Sequence, residues 1–182
     1  YLNKGMKIKF KSDFHHELSP NNQEEFHYEG GILSFVEHLN ASREVVHKEP
    51  IYIEKEISGT IVEVALQYND TFNESVFSFA NCINTRDGGS HVTGFRASLT
   101  RVINDYARKN KILKSDDPNL TGEDVREGLS AIISVKLANP QFEGQTKTRL
   151  GNPEVKGVVE STVSAALSRS LEENPQIAKK IL

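Results

Sequence analysis

Cysteine is nearly absent: the 182 residues hold one, Cys82, so no internal disulfide forms and no thiolate metal site is suggested. Its neighbours Phe79, Ala80 and Ile83 are apolar, and this context predicts a buried thiol acting as a small hydrophobe. A lone thiol accords with a reducing, cytoplasmic setting. Long hydrophobic runs are missing as well. Stretches such as Ala131-Ile132-Ile133 fall far short of the roughly 18 apolar residues of a membrane span, so no membrane association is expected. No charged start followed by an apolar run opens the chain, so no secretory signal is expected. Tyr1 in place of an initiator Met predicts an internal piece of a longer protein. Strong positive charge is lacking too: the net charge of -3 argues against a uniformly basic nucleic-acid binder and leaves room only for a local patch. What remains, 37% hydrophobic and 26% charged residues with a mean hydropathy of -0.47, describes an ordinary globular domain.

Periodicity outlines the elements. Met6, Ile8 and Phe10 alternate with Lys7 and Lys9, predicting a half-exposed strand that pairs with a second one over residues 25–28. Gly30-Gly31 breaks the second strand before a helix carrying Ile32, Phe35, Val36 and Leu39 and ending at Asn40. Residues 51–57 and 60–69 form strands joined through Ser58-Gly59, with Val62, Val64, Leu66 and Tyr68 on one face. A further strand over 74–82 is expected to complete an antiparallel meander. A long helix follows with the stripe Val92, Phe95, Leu99, Val102, Ile103 and Tyr106. Thr121-Gly122-Glu123-Asp124 reads as a helix cap with acids in the first turn, and 129–137 reads as a buried strand. Residues 139–153 are expected to be an extended loop. A last long helix starts at Pro153 and stripes Val155, Val159, Val163, Leu167 and Leu171, with Pro175 breaking it. Strands interleaved with helices give an α+β two-layer sandwich.

Few residues invite chemistry. Gln145-Thr146-Lys147 lies in the late loop. An ammonium is a compact point charge suited to a terminal phosphate, and a Gln amide donates to a phosphate oxygen. A solvated basic loop is the commoner meaning of such a tripeptide. Gly88-Gly89 suits a strand-to-helix turn needing positive φ, with Ser90 or its neighbour capping the helix, better than a phosphate cradle, since neither a Walker pattern nor G-x-G-x-x-G accompanies it. His15-His16 and Glu17 lack a second ligand pair at metal-site spacing. Asp87, Ser90 and His91 have the residue types of a triad without a nucleophile elbow. Arg96, Arg101, Arg108, Lys109 and Lys111 gather on or just after one helix, as either a surface for DNA phosphates or a solvated face.

Taken in order, several segments resemble one family: Phe26-His27-Tyr28-Glu29-Gly30-Gly31, Val62-Glu63-Val64-Ala65-Leu66-Gln67-Tyr68, Phe79-Ala80-Asn81-Cys82-Ile83-Asn84-Thr85, Asp87 through Arg96, Thr121 through Leu129, and Gln145-Thr146-Lys147. Together they are similar to the second, transducer domain of the B subunit of bacterial DNA gyrase, a type II topoisomerase. The resemblance implies a fold like the second domain of ribosomal protein S5, with a left-handed βαβ crossover and a long C-terminal helix. It places the tail of an ATPase domain at residues 1–5, the transducer at 6–173 and the start of a connection to the DNA-cleavage core at 174–182. It implies ATP and Mg2+ as cofactors, held mainly by a preceding ATPase domain, with Lys147 and Gln145 reaching the γ-phosphate. Arg96 and Arg101 would face a DNA-conducting cavity. Implied partners are that ATPase domain, a second B subunit, the gyrase A subunit and double-stranded DNA. No complete catalytic set and no metal ligands are expected within the chain, so the isolated segment should be inactive. Two alternatives remain, the equivalent domain of topoisomerase IV and an S5-like nucleic-acid-binding module. A MutL-type repair ATPase is disfavoured by the Gly88-Gly89 helix entry and by the spelling Gln-Thr-Lys.

Overall fold

The computed structural model describes residues 1–12 and 22–182; His15, His16, Glu17 and the first three residues of the turn expected from the sequence Ser19-Pro20-Asn21-Asn22 lie outside the described residues. The frame is a five-stranded mixed sheet in the order β3-β4-β7-β5-β6, built from β3 Ile51–Ile57, β4 Thr60–Tyr68, β5 Ser75–Ala80, β6 Ile83–Asn84 and β7 Leu129–Lys136. The class is α+β, as the pattern predicts. The expected meander is not formed, because β7 separates β4 from β5, antiparallel to the first and parallel to the second. The reason lies in composition: β7 is apolar or small on both faces and buried along nearly its whole length, so only a central position removes both faces from water. A parallel neighbour cannot be reached by a tight turn. The chain therefore crosses from β5 to β7 through α2 Ser90–Lys109 and α3 Gly122–Arg126.

One sheet face carries Val62, Val64, Leu66, Ala131, Ile133 and Val135 against the stripes of α2 and α4 Pro153–Glu173. The stripes are those read from the sequence. Each fully buried Leu or Val contributes on the order of 1.5–3 kcal/mol over its exposed state, which is why this face holds the main core. The two helices run parallel. Gly94 lies against Lys156, Arg101 reaches Glu160 and Ser164, and Lys109 meets Glu172. A Cβ at position 94 would stand 2.5 Å from the Lys156 carbonyl oxygen, so glycine sets the closeness of the helices at this end. The shorter α5 Pro175–Ile181 follows the proline break and buries Ala178 on the same core. The opposite sheet face is partly covered by α1 Ile32–Leu39, through Ile32 and Val36 on Ala65, Phe79 and Ile132. Beside that contact Asn40, Gln67, Asn69 and Ser130 form a buried hydrogen-bond network, which satisfies polar groups that would otherwise be costly to bury.

Two small antiparallel sheets stand outside the frame: β1 Lys7–Lys11 with β2 Gln23–His27, and β8 Phe142–Glu143 with β9 Arg149–Leu150. The first was expected to be half-exposed. Instead both its faces are open, with Met6, Ile8, Phe10 and Phe26 all exposed. The second replaces the extended loop expected over 139–153; its strands are too short to show a period. Cys82 is another correction, for its thiol is exposed. Asn81 and Cys82 are the two central residues of the β5–β6 hairpin, with φ of 47° and 65°, as a primed two-residue turn demands. A turn position carries the side chain out to solvent whatever its neighbours' polarity.

Candidate functional site

Gln145 and Lys147 sit together on the exposed tip between β8 and β9, residues 144–148. The backbone of Lys147 is left-handed at φ 55°, following Gly144 at 74°, and its N–H donates to the Gly144 carbonyl over 3.4 Å. Its Nζ lies 5.9 Å from the centre of the Phe142 ring, a cation–π contact worth only about 0.5–1 kcal/mol at an exposed site. Among the described residues no carboxylate forms an ion pair with this ammonium.

The base of the tip is held firmly. Phe142 pairs with Leu150 and Glu143 with Arg149. The Leu150 N–H donates to the Gly88 carbonyl at 3.1 Å, and the Asp87 N–H to the Thr148 carbonyl at 2.9 Å. Arg149 Nη1 donates to the Asp87 carbonyl at 3.2 Å. Gly89 forms a parallel bridge with Leu150. Its φ is 135°, and a Cβ there would overlap the Leu150 backbone, so this glycine is required twice, by conformation and by space. Gly88-Gly89 is thus a turn, as favoured from the sequence, but one that docks the second hairpin. The expected side-chain cap is not made: Gly89 itself is the N-cap of α2, and Ser90 Oγ has no hydrogen-bond partner among the described residues.

Below this junction His91 is fully buried. Its Nε2 lies 3.0 Å from Thr85 Oγ1, which lies 2.7 Å from Ser78 Oγ. Burial pushes its pKa down to about 4, so the ring is neutral at physiological pH. It is bonded to Thr85 and not to Asp87 or Ser90, so the three triad residue types form no relay.

The basic residues of α2 are dispersed. Arg96 donates to Glu74 Oε1 through Nη2 at 2.7 Å, while Arg126 takes Glu74 Oε2 through Nε at 3.1 Å; two guanidinium groups thus share one carboxylate beside a cleft of about 430 Å³ lined by Arg86 and Arg96. Arg101 turns to α4, pairing with Glu160 at 2.8 Å. Arg108 fastens the loop after α2 by donating to the Lys114 and Asp117 carbonyls and to Asn119. Lys109 pairs with Glu172. Arg96 and Arg101 therefore engage different neighbours. Asp124 completes a capping box with Thr121, and that hydrogen bond holds its carboxyl below the usual range. Sequence reasoning missed the Glu74 junction and the clamp at the hairpin base, because both join segments far apart in the chain.

The sequence profile described as DNA gyrase B matches residues 31–182, and the chain belongs to that family. It is 58% identical over 182 residues to the DNA gyrase B protein of Halalkalibacterium halodurans, covering 100% of this chain and 28% of that protein. To the DNA gyrase B protein of Clostridium acetobutylicum it is 58% identical over 183 residues, again 28% of its length. It therefore spans less than a third of the length of these relatives. Among solved structures, the 43K ATPase domain of Thermus thermophilus gyrase B, crystallised with an aminocoumarin, superposes with a TM-score of 0.87 at 38% identity, covering all of this chain and 47% of that one. The topoisomerase IV ATP binding domain of Francisella tularensis superposes with a TM-score of 0.76 at 28% identity, covering 99% of this chain and 48% of that one.

Proposed function

We propose that this chain is the transducer segment of a gyrase B protein, in which the Gln145–Lys147 tip senses the γ-phosphate of ATP held by a preceding ATPase domain and passes that state to the rest of the enzyme. The observation that carries this reading is an exposed ammonium with no carboxylate partner among the described residues, presented on a short tip whose base is tied to a rigid frame. Two unit charges 4 Å apart interact by about 4 kcal/mol at an effective dielectric of 20, enough to bias a loop between two positions. Lys147 would supply the charge, and the Gln145 amide a second donor to the same oxygens. Hydrolysis and phosphate release remove the anion, and the contact is lost with it.

The frame gives that loss a mechanical consequence. The tip is anchored at the Gly88-Gly89 turn, which opens α2, and at Asn152, which opens α4. Both helices start at the tip and run parallel away from it, so displacement of the hairpin base bears on two stiff elements at once. In this reading α4 carries the signal toward the DNA-cleavage core, driving strand passage and negative supercoiling with the gyrase A subunit and a second B subunit. In this reading the preceding nucleotide-holding domain also holds the Mg2+ that accompanies ATP. The open apolar face of β1–β2 supplies a contact for that domain. Arg96 and Arg101, with side chains 45% and 50% exposed and each held by one carboxylate, Glu74 and Glu160, would line the DNA-facing wall. Pairing of the basic residues of α2 also speaks against a bare S5-like nucleic-acid module, and the identities favour gyrase over topoisomerase IV. No described helix is long and apolar enough to cross a membrane.

In the full-length protein, Lys147→Ala should lower ATP turnover about a hundredfold and abolish supercoiling while leaving DNA binding intact. Wild-type turnover in that variant overturns the reading. The chain by itself should show no steady ATP hydrolysis.

A further inference from the structure

We propose that Asn152 is the positioning residue of the phosphate-sensing tip, clamping the two ends of the hairpin excursion to each other and to the start of α4; this rests on the role of Lys147 given above. Asn152 stands at the N-cap of α4. An asparagine there ordinarily turns its side-chain oxygen to the free N–H groups of the first helical turn. This one makes no such bond. Its Oδ1 instead accepts from the Gln141 N–H at 2.6 Å, at the entry to the hairpin. Its Nδ2 donates to the Asn139 carbonyl at 3.2 Å and to Glu154 Oε1, in the first turn of α4, at 2.7 Å. The side chain is buried, at 2% exposure, so water does not compete for these bonds. Beside it the Gly151 N–H donates to the Gln141 carbonyl at 2.7 Å, and both polar groups of the Gln141 backbone are thereby consumed at the hairpin base.

One amide thus ties entry strand, exit strand and helix, spending on the loop the capping capacity its own helix would use. Helix stability alone does not call for that arrangement. Fixing the direction in which residues 144–148 leave the frame does, because an ammonium must arrive within hydrogen-bond reach of a phosphate held elsewhere, and a displacement of an ångström at such a contact is costly. Asn152 touches no reacting atom in this scheme and acts through the tip it holds.

The test is a double-mutant cycle in the full-length protein with Asn152→Ala, Lys147→Ala and both together, read as kcat and KM for ATP, with Asn152→Ser as the conservative variant. Asn152→Ala should reduce kcat by about tenfold with a smaller change in KM, and the double variant should be no slower than Lys147→Ala alone. Asn152→Ser, which keeps a side-chain oxygen to accept from Gln141, should recover most of the rate. In hydrogen exchange the amides of 145–148 should exchange faster in Asn152→Ala while those of β4 and β7 are unchanged. Losses that multiply in the double variant, or unaltered exchange at the tip, overturn the positioning role while leaving that of Lys147 standing. Should Lys147→Ala itself turn over ATP normally, both fall. If Asn152→Ala does not fold, the same cycle with Asn152→Ser decides, and a rate of Asn152→Ser/Lys147→Ala below that of Lys147→Ala overturns the proposal.

Discussion

The two hairpins outside the main sheet have the same architecture and opposite surfaces. In β1–β2 the apolar side chains of Met6, Ile8, Phe10 and Phe26 are exposed, and its charges pair within the hairpin, Lys7 and Lys9 with Glu25. In β8–β9 the apolar residue Leu150 is buried at the base, while the tip offers polar groups and a cation without a carboxylate partner among the described residues. A contiguous exposed apolar patch is the mark of a surface covered in the assembled protein. In the proposed function the exposed cation on its anchored tip is a probe. In the proposed function one hairpin makes a permanent apolar contact and the other a conditional polar one.

The largest effect expected from this contrast is at the anchor of the second hairpin. Gly89→Ala imposes both a disfavoured φ and overlap with the Leu150 backbone, and should destabilise the chain by about 3 kcal/mol or more, read by denaturant unfolding. A loss below about 1 kcal/mol would mean the hairpin base is not rigidly docked. Next comes the difference between two lysines. Lys147→Ala should lower ATP turnover of the full-length protein about a hundredfold, equivalent to about 2.7 kcal/mol, whereas Lys9→Ala should leave it unchanged. Equal effects would erase the distinction between probe and contact. Smaller again is Ile8→Lys, which should destabilise the full-length protein by about 2 kcal/mol and this chain alone by less than about 0.5 kcal/mol. Equal losses in both would show that the apolar face has no partner.

Mild acidification, to about pH 6, should give the smallest effect, about 1 kcal/mol, and its sign follows from burial. The folded pKa of His91 lies at about 4 against an ordinary 6.5, and that of His47 is also lowered by burial. The unfolded chain therefore takes up protons first, so stability is full above pH 6.5 and declines as pH falls toward 4. Because His91 lies under the Gly88-Gly89 junction, this loss should reach the β8–β9 amides in hydrogen exchange. His91→Gln should flatten melting temperature against pH over that window. An unchanged slope would remove His91 from the account.

The sequence by itself determined the local features. The helical stripes of α2 and α4, the β3–β4 hairpin, the Thr121-Asp124 capping box, the break at Pro175 and the presence of Gln145 and Lys147 on one connection all depend on residues within a few positions of each other. The tertiary structure decided the rest. That β7 enters between β4 and β5, that Glu74 is shared by Arg96 and Arg126 and that Asn152 serves a hairpin in place of its own helix are results of contacts between segments separated in the chain. A repeat of two or of 3.6 residues says which face of an element is buried, but it carries no information about which neighbour buries it. Only the packed chain, satisfying all its buried faces and polar groups at once, selects that neighbour.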